Sequence, residues 1–395
     1  MSIYLDHNAT TPLDPAVLGA MLPYLRDEFG NASSVHSPGQ RARAAVDAAR
    51  ESVAALIGAK PSEVVFTSGG TEADNLAILG AVRASNAPNK HIITTLIEHH
   101  AVLQTCQALE KEGVAVTYVA PNPSGVISPI SISRAIRSDT LLISVMHANN
   151  ELGTIQPIEE IGRIAREAKI LFHVDAVQSA GKLPIDVCAV GADLLSLSAH
   201  KLYGPKGVGA LYVRSGSRIE AIFRGGQHER GLRPGTENVP GIVGMGRAAE
   251  LALQHFSEDA ERIGRLRHRF EAALCDAIDG IRINGDPLSC VCNTTNITVP
   301  GASGESLVIA LDLQGIACST GAACSSGAIE PSHVLLAIGL SDSDARSSIR
   351  FSLGRTTTEA EIEHAIAVIP GVVERLRALS PKFSALSPVA LGRAN

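Results

Sequence analysis

Apolar positions in this 395-residue chain fall into short runs that alternate with stretches of helical spacing. Glu63 to Phe66 reads as a strand and runs into the turn Thr67-Ser68-Gly69-Gly70, after which Thr71 to Val82 has the period of a helix. His91 to Thr95 predicts a short strand and Ala101 to Glu112 a helix. Strands are expected at Val114 to Val119 and Leu141 to Met146, then a helix at Ile158 to Ala168. Two more strands follow, at Ile170 to Val174 and Leu194 to Leu197. This alternation predicts an α/β fold whose mostly parallel sheet is covered on both faces. From Pro240 the pattern changes: a long amphipathic helix, Gly241 to about Ala277, leads out of the sheet region, and the rest is shorter and mixed. No fixed-period repeat or low-complexity segment stands out. The tail from Ser380 to Asn395, with two prolines and few charges, is expected to be mobile.

A chain of this length exceeds what one hydrophobic core usually serves, so a large and a smaller domain are expected. The division is placed at 15–255 for the large domain, with 1–14 and 256–395 forming the small one. A composition 45% hydrophobic and 19% charged fits a folded enzyme rather than a disordered chain. The net charge of −6, with signs mixed along the chain, argues against nucleic acid as a ligand. The opening Met-Ser-Ile-Tyr-Leu-Asp-His has no basic or apolar leader, and no apolar stretch is long enough to span a bilayer. Seven cysteines, an odd number, favour reduced thiols and a cytoplasmic location.

Two strand ends carry the strongest chemical signal. Asp175-Ala176-Val177-Gln178 follows one and Ser198-Ala199-His200-Lys201 the other. In an open α/β sheet, ligands collect beyond the carboxyl ends of the strands. An acid, an amide, small donors and a lysine delivered there suit pyridoxal phosphate. Lys201 would bond the aldehyde, Asp175 would hold the pyridinium proton, and Ser198 and His200 would contact phosphate. A lysine after a strand is most often a solvated cation; the spacing to Asp-x-x-Gln favours the chemical reading.

Other segments are more ambiguous. Gly70 and Thr71 stand where a helix N-terminus can hold an anion, or where it is merely capped. The segment is neither a G-x-G-x-x-G fingerprint nor a P-loop. His99, in Glu98-His99-His100, could stack on a ring and move protons near neutral pH. A zinc site there lacks further ligands at the right spacing, and Cys290-x-Cys292 with Cys318 and Cys324 matches no zinc pattern either, so no metal is expected. Asn149-Asn150 could bind a carboxylate or a phenolate-type oxygen, or simply make a turn. The glycine-rich Gly225 to Asn238 implies close backbone approach to a ligand or a neighbouring subunit. Arg350, in an apolar strand-like run, needs a partner, a bidentate carboxylate being the natural one. Cys324 lies among small residues in Gly321-Ala322-Ala323-Cys324-Ser325-Ser326-Gly327, a setting for a travelling nucleophile. Cys188 and Cys275 read instead as structural cysteines in apolar elements.

Together these segments resemble the NifS/IscS-type cysteine desulfurases, pyridoxal phosphate enzymes of the aspartate-aminotransferase fold. The resemblance runs from Leu5-Asp6-His7-Asn8-Ala9-Thr10-Thr11-Pro12 to Arg350-Phe351-Ser352-Leu353-Gly354. It includes Thr-Ser-Gly-Gly-Thr-Glu, Asn-Asn-Glu-x-Gly, Asp-Ala-Val-Gln, Ser-Ala-His-Lys and Ala-Cys-Ser-Ser-Gly-x-x-Glu-Pro-Ser-His. It implies that Lys201 is the Schiff-base lysine and that Asp175 and Gln178 contact the ring nitrogen and phenolic oxygen. His99 would stack on the ring, and Thr71, Ser198 and His200 would contact phosphate, with Thr236 supplied by the other subunit of a homodimer. Asn150 and Arg350 would hold the substrate carboxylate, and Cys324 would form the persulfide. The implied reaction takes L-cysteine to L-alanine and passes sulfur to an acceptor such as an iron–sulfur scaffold protein. The long cysteine loop resembles the group that serves protein acceptors. A selenocysteine lyase or another class V aminotransferase would keep Lys201 and Asp175 without needing Cys324; a non-catalytic sulfur carrier would not need Lys201.

Overall fold

The structure, a computed structural model, describes residues 3–320 and 330–379. The Cys324 loop and the tail from Ser380 lie outside the described residues. The chain begins with β1 (Ile3–Tyr4), α1 (Pro15–Arg26) and α2 (Ser37–Leu56). The sheet region follows as β2 (Val64–Thr67), α3 (Gly70–Ala84), β3 (His91–Thr95), α4 (His100–Lys111), β4 (Ala115–Val119), α5 (Pro129–Ala135) and β5 (Thr140–Met146). It continues through α6 (Ile158–Ala168), β6 (Leu171–Asp175), α7 (Val187–Val190), β7 (Leu194–Ser198) and β8 (Gly209–Val213). After α8 (Val239–Ala277) come β9 (Arg282–Asn284), β10 (Thr294–Thr298), α9 (Gly304–Asp312) and β11 (Ile316–Ala317). The last elements are α10 (His333–Ala337), α11 (Asp342–Arg346), β12 (Ser348–Ser352) and α12 (Glu359–Leu379).

The large sheet has seven strands in the order β2-β8-β7-β6-β5-β3-β4, and only β8 runs against the rest. That strand escaped the periodicity analysis because it is short and opens on a glycine. Gly209 cannot carry a side chain: a Cβ would lie 2.6 Å from the Leu197 carbonyl and 2.7 Å from the Gly69 backbone. Apart from the edge strand β4, the strands are buried on both faces, so their residues alternate between two apolar layers rather than between core and water. Leu195, Leu197, Phe172 and Val174 join α2, α6 and the first half of α8 in one core. Leu194, Leu142 and Leu211 join α3 and α4 in the other. Helix α6 shows the cause locally, with Ile158, Ile161 and Ala165 buried on one stripe.

A third core gathers the ends of the chain. Ile3 and Leu5, the second half of α8, β10, β12 and α12 pack together through Phe270, Phe351, Leu311 and Ile369. β1 pairs with β11, so the N-terminal residues belong to this smaller unit. Between its two buried halves α8 is mostly exposed near Leu253 to Glu258. The N-terminal segment therefore crosses from the small core to the carboxyl ends of the large sheet, and that crossing positions the site.

Candidate active site

One cavity of about 420 Å³ opens at the carboxyl ends of β5, β6 and β7. It gathers Gly70, Thr71, His99, Asn150, Asp175, Gln178, Ser198, His200, Lys201 and Arg350, all expected from the sequence. Asn8 and Asp74, which the sequence reading did not single out, line it too.

The floor is acidic and buried. Asp175 ends β6, and its Oδ1 accepts the Val177 N–H at 2.9 Å. Burial raises its pKa to about 6, against the opposing pull of that N–H and the Lys201 charge. Behind it runs a row of polar side chains on the α3 face of the sheet. Ser144 and Ser196 hydroxyls bond the two ring nitrogens of His173 at 2.8 and 2.9 Å. Asp74, from α3, comes within 3.6 Å of the same ring, and burial together with the Asp175 charge pushes its carboxyl well up. Glu98 completes the acidic set. Its Oε1 accepts from Thr95 and Met146 at 2.7 and 3.0 Å, yet burial carries its pKa to about 8.

The opposite side is cationic. Lys201 closes the short turn after β7, and its Nζ donates to the carbonyls of Asn8 and, at 2.7 Å, Ala9. Arg350, buried in β12, donates to the Asn150 carbonyl at 3.0 Å and to Asp6 Oδ1 at 2.6 Å. The carboxylate partner expected for Arg350 is thus Asp6, held through one nitrogen rather than a two-pronged fork. Its Nε is buried without a partner among the described residues. Asn149 and Asn150 divide the two readings of the Asn pair. Asn149 makes the turn, accepting from the Glu151 and Leu152 N–H groups at 2.9 Å, and Asn150 lines the cavity.

His99 caps α4, its Nδ1 accepting the Ala101 N–H at 3.1 Å. Burial, then the Lys201 charge, lower its pKa to about 4, so at neutral pH the ring is uncharged with its proton on Nε2. At the other end, Gly70 begins α3 where a Cβ would sit 2.8 Å from Val177 Cγ2. Gly69 before it has φ 154°, a conformation that favours glycine. The free N–H groups of this helix start open on the cavity beside Ser198 and His200. His200 is also kept uncharged, burial bringing its pKa to about 4.

Thr236 is exposed and does not line the cavity of its own chain. Cys324 lies outside the described residues. Cys188 and Cys275 sit in helices α7 and α8 as expected, but both are exposed, on the solvent side of those helices, and are not packed structural thiols. Cys318 is buried and its thiol is pushed up to about 12. No group of three or more His, Cys, Asp or Glu placed to hold a metal occurs among the described residues. Asn8 had a signal after all: it stands inside the Leu5 to Pro12 motif. Asp74 had only its place one turn into the helix after Gly69-Gly70.

Comparison with known proteins gives a consistent result. The family described as aminotransferase class-V matches residues 3–364. A cysteine desulfurase IscS of Dictyoglomus turgidum is 48% identical over 379 residues, 96% of either chain. Another, from Anaeromyxobacter dehalogenans, is 51% identical over 384 residues, 96% of this chain and 95% of that one. Among solved structures, a NifS-like protein superposes with a TM-score of 0.90 at 38% identity, over 95% of this chain and 100% of that one. A structure of SspA in complex with cysteine gives 0.80 at 42% identity, over 90% and 100%.

Proposed function

The chain belongs to the class-V aminotransferase family, among its cysteine desulfurases, and from that premise we infer how its cavity works. L-cysteine enters, L-alanine leaves, and the sulfur stays as a persulfide on Cys324. The observation that carries this reading is the single cavity joining an acidic floor at Asp175 to the cations Lys201 and Arg350.

Pyridoxal phosphate fits the residues present. A buried carboxylate, a neutral histidine and a lysine face one space, and a glycine cradle at the α3 start leaves room that a Cβ would fill. Gly70, Thr71, Ser198 and His200 would hold the phosphate on helix N–H groups and hydroxyls. Asp175 would keep a proton on the ring nitrogen, Gln178 would donate to the phenolic oxygen, and His99 would lie against the ring. Bound there, the cofactor supplies an aldehyde that bonds amines and a ring that takes up electrons.

The chain's own groups do the rest. Arg350 Nε and Asn150 orient the substrate carboxylate. Lys201 takes the proton from the substrate Cα. Cys324, as thiolate, attacks the substrate sulfur, and His99 Nε2–H is the group to return a proton. The balance is complete without an external oxidant. The substrate C–S bond becomes C–H, and the Cys324 S–H becomes S–S–H.

We retain the division at residues 15–255; two cores on the sheet and a third built from the chain ends support it, with Val334, Leu335 and Ala345 of α10 and α11 packing back on the large core. The working form is a homodimer in which Thr236 of the partner subunit reaches the phosphate; its exposure supports this. No described helix is long and apolar enough to cross a membrane. The enzyme is cytoplasmic on this reading, and handing sulfur to an iron–sulfur scaffold or related acceptor fits the name IscS that its relatives carry. Incubation with L-cysteine and reductant tests the reading: alanine and sulfide should appear in equal amounts. Pyruvate in place of alanine would overturn it.

A further inference from the structure

Gln178 has an amide whose two ends are fixed by groups of opposite kind. Its Oε1 accepts from Lys182 Nζ at 2.9 Å, and its Nε2 donates to the Asn8 carbonyl at 2.9 Å. A main-chain carbonyl can only accept, so the Asn8 carbonyl takes the NH2 end, and the ammonium form of Lys182, which can only donate, takes the oxygen end. The oxygen points to Lys182 and the NH2 points the other way. One of the two hydrogens of that NH2 goes to Asn8. The second has no acceptor among the described residues, on a buried residue that lines the cavity.

Lys182 does not touch the cavity that holds Asp175 and Lys201. It lies behind it, facing the small space lined by His7, Tyr203 and Cys292. Its second acceptor is Asn8 Oδ1 at 3.3 Å, and Asn8 Oδ1 also accepts from Asn293 at 3.0 Å. Asn8 Nδ2 in turn donates to Thr294 Oγ1 and the Asn150 carbonyl, at 2.8 and 3.1 Å. Lys182 therefore rests on a residue that is itself pinned to both structural units. No carboxylate forms an ion pair with it among the described residues, an arrangement that costs stability and calls for a reason. The charged groups that face it are Lys201 and Arg350, with the Cys290 and Cys292 thiols. Part of the side chain is exposed, but the ammonium is enclosed enough that burial brings its pKa down to about 7.

We propose that Lys182 is a positioning residue for the cofactor's phenolic oxygen: it locks the Gln178 amide so that an N–H, and not the carbonyl, faces that oxygen. Without Lys182 the amide would be held by the Asn8 carbonyl alone, and a rotated amide would turn its carbonyl on an anionic oxygen and repel it. Donation from Lys182 to Oε1 also polarises the amide and makes its N–H a stronger donor. The proposal rests on the assignment of Gln178 to the phenolic oxygen.

The test reads the cofactor's visible absorption in substrate-free holoenzyme as pH is varied. That transition reports the proton shared between Lys201 and the phenolic oxygen, independently of turnover. Gln178→Leu checks the underlying assignment and should move the transition up by about one pH unit. Lys182→Met should move it in the same direction by a similar amount and weaken cofactor binding about tenfold. Lys182→Gln keeps a donor without the charge and should stay within about 0.3 units of wild type. In the double variant Lys182→Met with Gln178→Leu, the shift should be no larger than for Gln178→Leu alone, because one residue acts through the other. If Gln178→Leu leaves the transition unmoved, the assignment of Gln178 is wrong and this proposal falls with it. If Gln178→Leu shifts it and Lys182→Met does not, or the two shifts add, the proposal alone is overturned. Should Lys182→Met fail to fold, Lys182→Gln carries the test, and a shift as large as that of Gln178→Leu would overturn it.

Discussion

The two sides of the cavity are built by different means. The acidic floor, Asp74, Glu98 and Asp175, belongs to the large sheet and is fixed by strand register and by α3. Its carboxyls are buried and every one of them is driven upward. The cationic side, Lys201 and Arg350 with Lys182 behind them, exists only where the N-terminal segment and β12 are brought against the sheet. Its charges are held by main-chain carbonyls, amides and the one carboxylate of Asp6. The floor is made to keep protons, and the facing side is made to receive anions. A site that must hold a ring-nitrogen proton and also an amino-acid carboxylate needs both, kept apart.

Breaking the floor should cost most. Asp175→Asn removes the charge proposed to keep the ring nitrogen protonated while leaving the volume unchanged. Alanine formation is expected to fall about 10²- to 10³-fold, with the protein still folded and still binding cofactor. An unchanged rate would show that the floor has no part in the chemistry. Breaking the facing side acts on binding instead. Arg350→Lys keeps a cation but loses the fixed fork, so KM for L-cysteine should rise about 10- to 100-fold with a smaller change in kcat. A loss confined to kcat would argue against carboxylate binding by Arg350.

The smallest effect sharpens the comparison through stability. The folded-state pKa of Glu98, about 8, lies above the ordinary 4.5, so the folded chain binds more protons than the unfolded one between those values. Its contribution is therefore present at low pH and lost as pH rises through about 8. Glu98→Gln should leave the melting temperature nearly unchanged at pH 5 and raise it by roughly 2–4 °C at pH 8. Thermal melts at the two pH values check this. Equal shifts at both would mean that Glu98 is not carrying a buried charge.

The same contrast explains what could be read from the sequence. Asp175 and Lys201 were legible because strand ends are visible in periodicity and the chemistry of a strand end is local. Several strand and helix bounds agree to within a residue for the same reason, His91–Thr95 and Ile158–Ala168 among them. The role of Asn8 was not legible, because its contacts join residues 170 and 285 positions apart, and Lys182, though only four residues from Gln178, meets Asn8 from 174 positions away. No local pattern distinguishes Lys182 from a solvated lysine after a turn. Strand β8 was missed because five residues opening on a glycine carry too little pattern. The exposure of Cys188 and Cys275 was missed for a related reason: a helix in an apolar stretch has a solvent face too.

The cysteines allow the most direct test. Burial pushes the thiols of Cys106, Cys290 and Cys318 to about 12, so at neutral pH they are protonated and poor nucleophiles. The exposed thiols Cys188 and Cys275 do not line the cavity, and the account places the sulfur on Cys324. Holoenzyme should be treated with one equivalent of L-cysteine, quenched, and its thiol peptides mapped by mass spectrometry alongside an assay for alanine. One extra sulfur atom on the Cys324 peptide, matched by one alanine, is the predicted result. The extra sulfur on Cys318, or undiminished alanine release from Cys324→Ser, would contradict it.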